Sequence, residues 1–167
     1  MDNSLDYHKV KRYLQAKADA YSKVDTFLGF NEQELHIELN KKCGPEGVLM
    51  VLFKYEGQLN GNNQRTLAGR VIHFAILKDV KKDDFDMESQ VIGECENIGF
   101  SIVSRIYYDS RREDSEWLYK NFDQNTVEFN EIRLKSSRGL VGMEFSFTLK
   151  TPQPLTLNID DWSDLDE

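Results

Sequence analysis

The sequence predicts an α+β fold: an antiparallel sheet of four or five strands with two long helices on one face, in the order α-β-β-β-α-β-β, and then an acidic tail. Three observations carry this. Residues 5–28 and 84–108 repeat apolar side chains every three or four positions, the spacing of one buried helical stripe. VLMVLFKY (48–55), LAGRVIHFAIL (67–77) and the alternating MEFSFTL (143–149) have the length and pattern of strands. These strands come in groups joined by short turns, which means antiparallel pairing with the helices to one side.

The first helix takes Tyr7, Val10, Leu14, Lys17, Tyr21, Val24 and Leu28 as its stripe, with Asn3 or Ser4 as cap and Gly29 as terminator. Leu35, Ile37 and Leu39 alternate with His36 and Glu38 as a short strand. After the loop KKCGPEG, the near-continuous apolar run 48–55 predicts a strand covered on both faces. EGQLNGNNQR (56–65) is too polar for a core and reads as an exposed, mobile hairpin tip. The strand 67–77 returns from it.

Asp83 or Asp84 caps the second helix, whose apolar positions are Phe85, Val91, Ile92, Cys95, Ile98, Ile102 and Ile106. Gly93 and Gly99 fall inside it, and each costs about 1 kcal/mol against Ala. Close approach to the sheet is the expected reason. SRREDSEWLYKNF (110–122) is a charged connection with a short helical turn around Trp117, Leu118 and Phe122. A strand through Val127, Phe129, Ile132 and Leu134, the turn KSSRG and the strand 143–149 form the closing hairpin. The expected division is a domain over 1–157 and a tail over 158–167.

The totals bound the function. The chain has 167 residues, 40% hydrophobic and 30% charged, the composition of an ordinary globular domain. No apolar run approaches the roughly 20 residues of a membrane span, and MDNSLDYHKVKRY lacks the apolar core of a signal peptide. The expectation is a cytoplasmic protein with no membrane partner. Cys43 and Cys95, two isolated cysteines in a leaderless chain, read as free thiols. The net charge is −8. Five acids (Asp160, Asp161, Asp164, Asp166 and Glu167) lie in the last ten residues, leaving 21 basic against 24 acidic residues elsewhere. A body so nearly balanced has no basic footprint for nucleic acid.

No catalytic constellation emerges. His36-Ile37-Glu38 matches the H-x-E of zinc deaminases, but the P-C-x-x-C that would hold the metal is missing. His73 lies within a strand and reads as a hydrogen-bonded structural residue, and His8 has no partner motif. There is no G-x-S-x-G, P-loop or G-x-G-x-x-G. Cys95 sits on an apolar stripe, where a thiol is inert. Asp83, Asp84, Asp86 and Glu88 are explained by a helix start matched to its dipole, and KVKR (9–12) by a solvated helix face. No cofactor, metal ligand or catalytic residue is assigned, and the chain is expected not to be an enzyme.

Two segments point to a protein partner instead. In the hairpin tip, Leu59, Asn60, Asn62 and Asn63 project; in the tail, Ile159, Trp162 and Leu165 recur every three residues among acids. A purely solvating tail has few aromatics. Two readings of the tail stay open here: it docks on another chain, or it folds back on its own domain.

The element order, the long tip at 56–65, the strand G-x-x-F-x-F-x-L (Gly142, Phe145, Phe147, Leu149) and the trailing P-x-P-L (Pro152, Pro154, Leu155) resemble small tail-completion proteins of phages. These are tail terminators and related neck or tube-end subunits of phage-like contractile systems. The resemblance implies a non-enzymatic homo-oligomer, a hexameric ring capping a tail tube with tube or sheath neighbours, found in the cytoplasm or in an assembled virion or injection particle. It carries over no active-site residue. The alternative from another class is a monomeric acidic binding module of the immunity or inhibitor type, docking a basic protein.

Overall fold

The structure is a computed structural model that describes residues 5–29, 37, 47–62, 65–81, 83–134 and 139–164, without the side chains of Asn62 and Glu116. Its elements are helix α1 (Tyr7–Ala20), strands β1 (Thr26–Leu28), β2 (Val48–Asn62) and β3 (Arg65–Asp79), helix α2 (Phe85–Asp109), and strands β4 (Phe122–Arg133) and β5 (Leu140–Pro152). A 3-10 turn, Glu113–Leu118, precedes β4 and another, Ile159–Asp161, lies in the tail. The α+β class is as expected. The five strands form one sheet in the order β1-β2-β3-β5-β4.

Two expectations about that sheet need correction. It is mixed rather than wholly antiparallel, because β1 runs parallel to β2, pairing Thr26 with Leu49 and Leu28 with Val51. The extra strand comes from the first predicted helix, which stops at Ala20 instead of reaching Leu28. Tyr21 is extended, and the Asp25 carboxylate accepts a hydrogen bond from Val48 N at 2.7 Å. Asp25 N in turn donates to Val48 O at 2.9 Å. These two bonds convert Thr26-Phe27-Leu28, rich in β-forming side chains, into a strand. Leu28 keeps its buried place, so the three-four spacing carried the right residue in the wrong element. The cap is Asp6, whose side chain accepts from Lys9 N at 2.7 Å; Asn3 and Ser4 lie outside the described residues. So does the strand expected over 35–39, except Ile37, which is helical and exposed.

The tip over 56–65 is also more regular than expected. β2 and β3 stay in register from Gly57–Arg70 out to Asn62–Arg65, so the hairpin is a continuous ladder with one irregularity, between Leu52 and Lys54. Only Asn63 and Gln64 lie outside the described residues there.

One buried cluster joins the helices to a sheet face. Val10, Leu14 and Ala18 of α1 and Val91, Cys95, Ile98, Ile102 and Ile106 of α2 meet Met50, Leu52, Ile72, Phe74, Phe145 and Phe147. Phe74 and Phe145 stack at 5.4 Å, a contact worth about 0.5–1.5 kcal/mol beyond burial. Gly99 lies directly over the Phe145 ring, so the expected close approach holds there; at Gly93 an added Cβ would meet nothing within 4 Å. Phe85, placed on the helix stripe by its spacing, is in fact exposed. The cap of α2 is as expected: Asp84 accepts from Met87 N at 3.1 Å.

The opposite sheet face is divided. Near β1 it holds a second buried cluster of Leu28, Leu49, Val51, Ala75, Leu77 and Leu140, so the two-sided burial expected of 48–55 holds over 48–52 and ends at Lys54, which is exposed. Toward the hairpin it turns polar, with Glu144, Ser146 and Thr148 only half-buried. β4 pairs with β5 but breaks register between Asp123 and Glu128.

Candidate interaction surfaces

The hairpin tip and the root of the tail lie at the same end of the sheet. β5 runs antiparallel to β3 as far as Leu67–Pro152, and Gln153 N then donates to Thr66 O at 3.0 Å. Arg70 fixes this exit. Its guanidinium donates to Thr151 Oγ1 at 2.5 Å and to Gln153 Oε1 at 2.9 Å, so two successive side chains on one face are held by one planar fork. Among the residues proposed from sequence, Leu59 is 54% exposed on this hairpin and Asn60 is exposed. The Asn62 side chain and Asn63 lie outside the described residues.

Beyond Gln153 the chain leaves the sheet. Leu155 is 71% exposed, Leu157 and Ile159 each 55%, and Trp162 53%. Among the described residues, the backbone hydrogen bonds of this stretch are local, from Asp161 N to Asn158 O and from Trp162 N to Ile159 O. Of the two readings left open by the sequence, folding back on the domain calls for Ile159 and Trp162 to be covered, and each is more than half exposed. Leu165 lies outside the described residues. Leu155, noted in sequence only as part of P-x-P-L, and Leu157 belong with them; their alternation with Pro154, Thr156 and Asn158 was a usable signal.

A second place where chemistry gathers escaped the sequence reading. The C-terminal ends of α1 and α2 enclose a cleft of about 380 Å³, bordered by Tyr13, Lys17, Arg105, Asp109, Arg112 and Trp117. Asp109 is buried at its centre. It pairs with Lys17 at 2.8 Å and Arg105 at 2.9 Å, and accepts from the Tyr13 hydroxyl at 3.0 Å. Burial alone would raise the Asp109 carboxyl, but the hydrogen bonds from Lys17 and Tyr13 and the charges of Lys17 and Arg105 outweigh it and hold it below the usual range. Burial, then the Asp109 charge, pushes the Tyr13 phenol well upward. Trp117 packs edge-on against Tyr13 at 5.5 Å. Each polar group here is matched to another, as in a structural pin: Lys17, the polar member of the α1 stripe, reaches the end of α2.

Near the boundary between the second cluster and the polar sheet face, His73 lies between two carboxylates. Its Nδ1 is 2.9 Å from Glu144 Oε1, and its Nε2 is 3.6 Å from Glu56 Oε1. The Glu144 bond fits the structural role expected for His73. Glu56 also pairs with Lys54 at 2.9 Å, and that hydrogen bond above all keeps its carboxyl low. Beside it, Gln58, Asn60, Val71, Thr148 and Lys150 line an open groove of about 480 Å³. Cys95 is buried and free, and burial pushes its thiol up to about 12. His36, Glu38 and Cys43 lie outside the described residues. Among the described residues, no group of three or more His, Cys, Asp or Glu is arranged to hold a metal ion, and no helix is long and apolar enough to cross a membrane. No protein-family model matches the chain, and no curated protein matches it in sequence.

Proposed function

We propose that this protein is a non-enzymatic structural subunit that works by docking onto other protein chains, in an assembly of the phage-tail or contractile-injection kind, as a ring at the tube end or neck. The observation that carries this reading is the tail. Leu155, Leu157, Ile159 and Trp162 form a run of large apolar side chains, each more than half exposed, on a segment whose bonds to the sheet, among the described residues, lie at its root. Full burial of such side chains on a partner is worth about 1.5–3 kcal/mol each, a strong drive to association. The hairpin beside the root supports the same reading, since a ring subunit needs elements that reach its neighbours.

Sedimentation velocity over a wide concentration range, with electron microscopy of the largest species, tests this. A closed ring of defined copy number is expected, alone or when tube or sheath proteins encoded alongside it are supplied. A chain that stays monomeric throughout, and joins no such protein, would overturn the proposal.

One observation favours the alternative, a monomeric module that binds a basic protein: Asp160, Asp161 and Asp164 are exposed around Trp162. That reading expects a one-to-one complex whose association slows steeply with salt.

A further inference from the structure

The segment after β5 has the pattern of a strand without a partner. Leu155, Leu157 and Ile159 alternate with Thr156, Asn158 and Asp160, the period of a strand with one covered face. All three apolar residues are nevertheless more than half exposed.

The chain also carries a strand edge to match. β1 pairs only with Leu49–Val51, so from Lys54 to Gly61 the outer side of β2 has no strand beside it among the described residues. Residues 56–61 are all exposed. Tyr55 and Leu59 lie on the helix-side face of this edge, opposite Ile72 and Ala68. Helix α1 stands next to it, with the Tyr7 ring edge-on to Tyr55 at 5.4 Å. Besides Lys17, which is paired with Asp109, that helix carries Lys11 and Arg12, whereas Asp160, Asp161 and Asp164 follow the leucine row.

We infer that residues 154–159 of one copy add as a further strand to the β2 edge of a second copy, over 54–61. The row Leu155, Leu157 and Ile159 would cover Tyr55 and Leu59, and the acids after it would meet basic α1. Main-chain bonds supply the affinity in this mode and the apolar row the register. The inference rests on the assembly reading and names the contact that builds it.

A second copy fits better than the same chain. The root is pinned at Thr66 and Arg70, and the sheet order places β3 and β2 between β5 and the free edge. Crossing them takes roughly 10–14 Å at about 4.8 Å per strand. At about 3.3–3.6 Å per residue this uses three or four residues, which would spend Leu155 and Leu157 before pairing began. A tail-to-edge contact is also heterologous, and heterologous contacts generate rings when the rotation closes.

The test titrates the ¹⁵N-labelled full chain with an unlabelled peptide of residues 152–167 and follows backbone amide shifts. Saturable shifts clustered at Lys54–Gly61 are expected, and a peptide carrying Leu155→Asp and Leu157→Asp should bind at least tenfold more weakly. Shifts confined to β4 or to the α1–α2 cleft, or no shifts at millimolar peptide, overturn the contact. In the full chain the same double substitution, at exposed positions, should abolish the oligomer without lowering the melting temperature. An oligomer that survives it overturns this contact but leaves the assembly reading standing. A monomer whose edge amides already differ from those of the double variant means the tail closes on its own edge, and also overturns the inference.

Discussion

Two glycines on one helix should respond to alanine with opposite signs. Gly93 and Gly99 both lie inside α2, and both carry the penalty of about 1 kcal/mol that glycine has in a helix interior. At Gly93 a new methyl meets nothing within 4 Å, so Gly93→Ala should recover that amount, raising the melting temperature by about 2–4 °C for a chain this long. At Gly99 the methyl would overlap three carbons of the Phe145 ring. That ring cannot turn aside cheaply. It is fully buried, stacked on Phe74 at 5.4 Å and on Phe129 at 5.9 Å, with Phe100 edge-on at 5.4 Å. Overpacking of such a site costs about 1–3 kcal/mol and outweighs the helical gain. The helical gain is common to both variants, so they should differ by the overpacking cost, about 1–3 kcal/mol in urea or thermal unfolding, with Gly99→Ala the less stable. If Gly99→Ala proves as stabilising as Gly93→Ala, the Gly99–Phe145 contact does not set the spacing between helix and sheet.

Other outcomes follow from the same geometry. Asp109→Asn should lower the melting temperature at neutral pH; because the folded carboxyl is held below its unfolded value, the native contribution is present above about pH 4 and fades as pH falls through the lower folded value, so the gap between variant and wild type should close in acid. Arg70→Ala should speed hydrogen exchange at the Gln153 amide while leaving that of the α2 amides unchanged, since the guanidinium ties the tail root through Thr151 and Gln153. Trp162→Ala should leave the melting temperature of the subunit unchanged and weaken partner binding at every salt concentration, whereas Asp160→Asn with Asp161→Asn should weaken it mainly at low salt. A drop in subunit stability from Trp162→Ala would mean that the indole packs on its own domain.

The fold was legible where burial imposes a period, and misread where local hydrogen bonds decide. α2 and strands β3 and β5 were placed within a few residues because their covered faces repeat at 3.6 or 2, and so was the start of β2, whose exposed outer half to Asn62 was read as a tip. The end of α1 was not, because Val24 and Leu28 continue the helical spacing while Asp25 and Val48 exchange two hydrogen bonds across a gap of 23 residues. No pattern in one segment encodes a bond to another. The expectation that two interior glycines share one cause failed for the same reason: propensity treats Gly93 and Gly99 alike, and only the Phe145 ring distinguishes them.

Of the candidate surfaces, the exposed tail could be read in sequence and the buried pin could not. Ile159 and Trp162 stand out because large apolar residues among acids have no use in a solvated segment. Asp109 falls between the predicted helix (84–108) and the charged connection (110–122), and nothing in either singled it out. Its role depends on Lys17, which interrupts an otherwise apolar or aromatic stripe 92 positions earlier and lies only 2.8 Å away in the fold. A lone cation on a core-facing stripe is a usable signal, since a charge is buried only where a partner awaits it. The two features differ in what they ask of the chain. The pin matches its charges internally, so it needs nothing from outside. The tail row is exposed, and beyond Val51 the outer side of β2 has no strand beside it among the described residues, so in the proposed reading each is completed by a second copy.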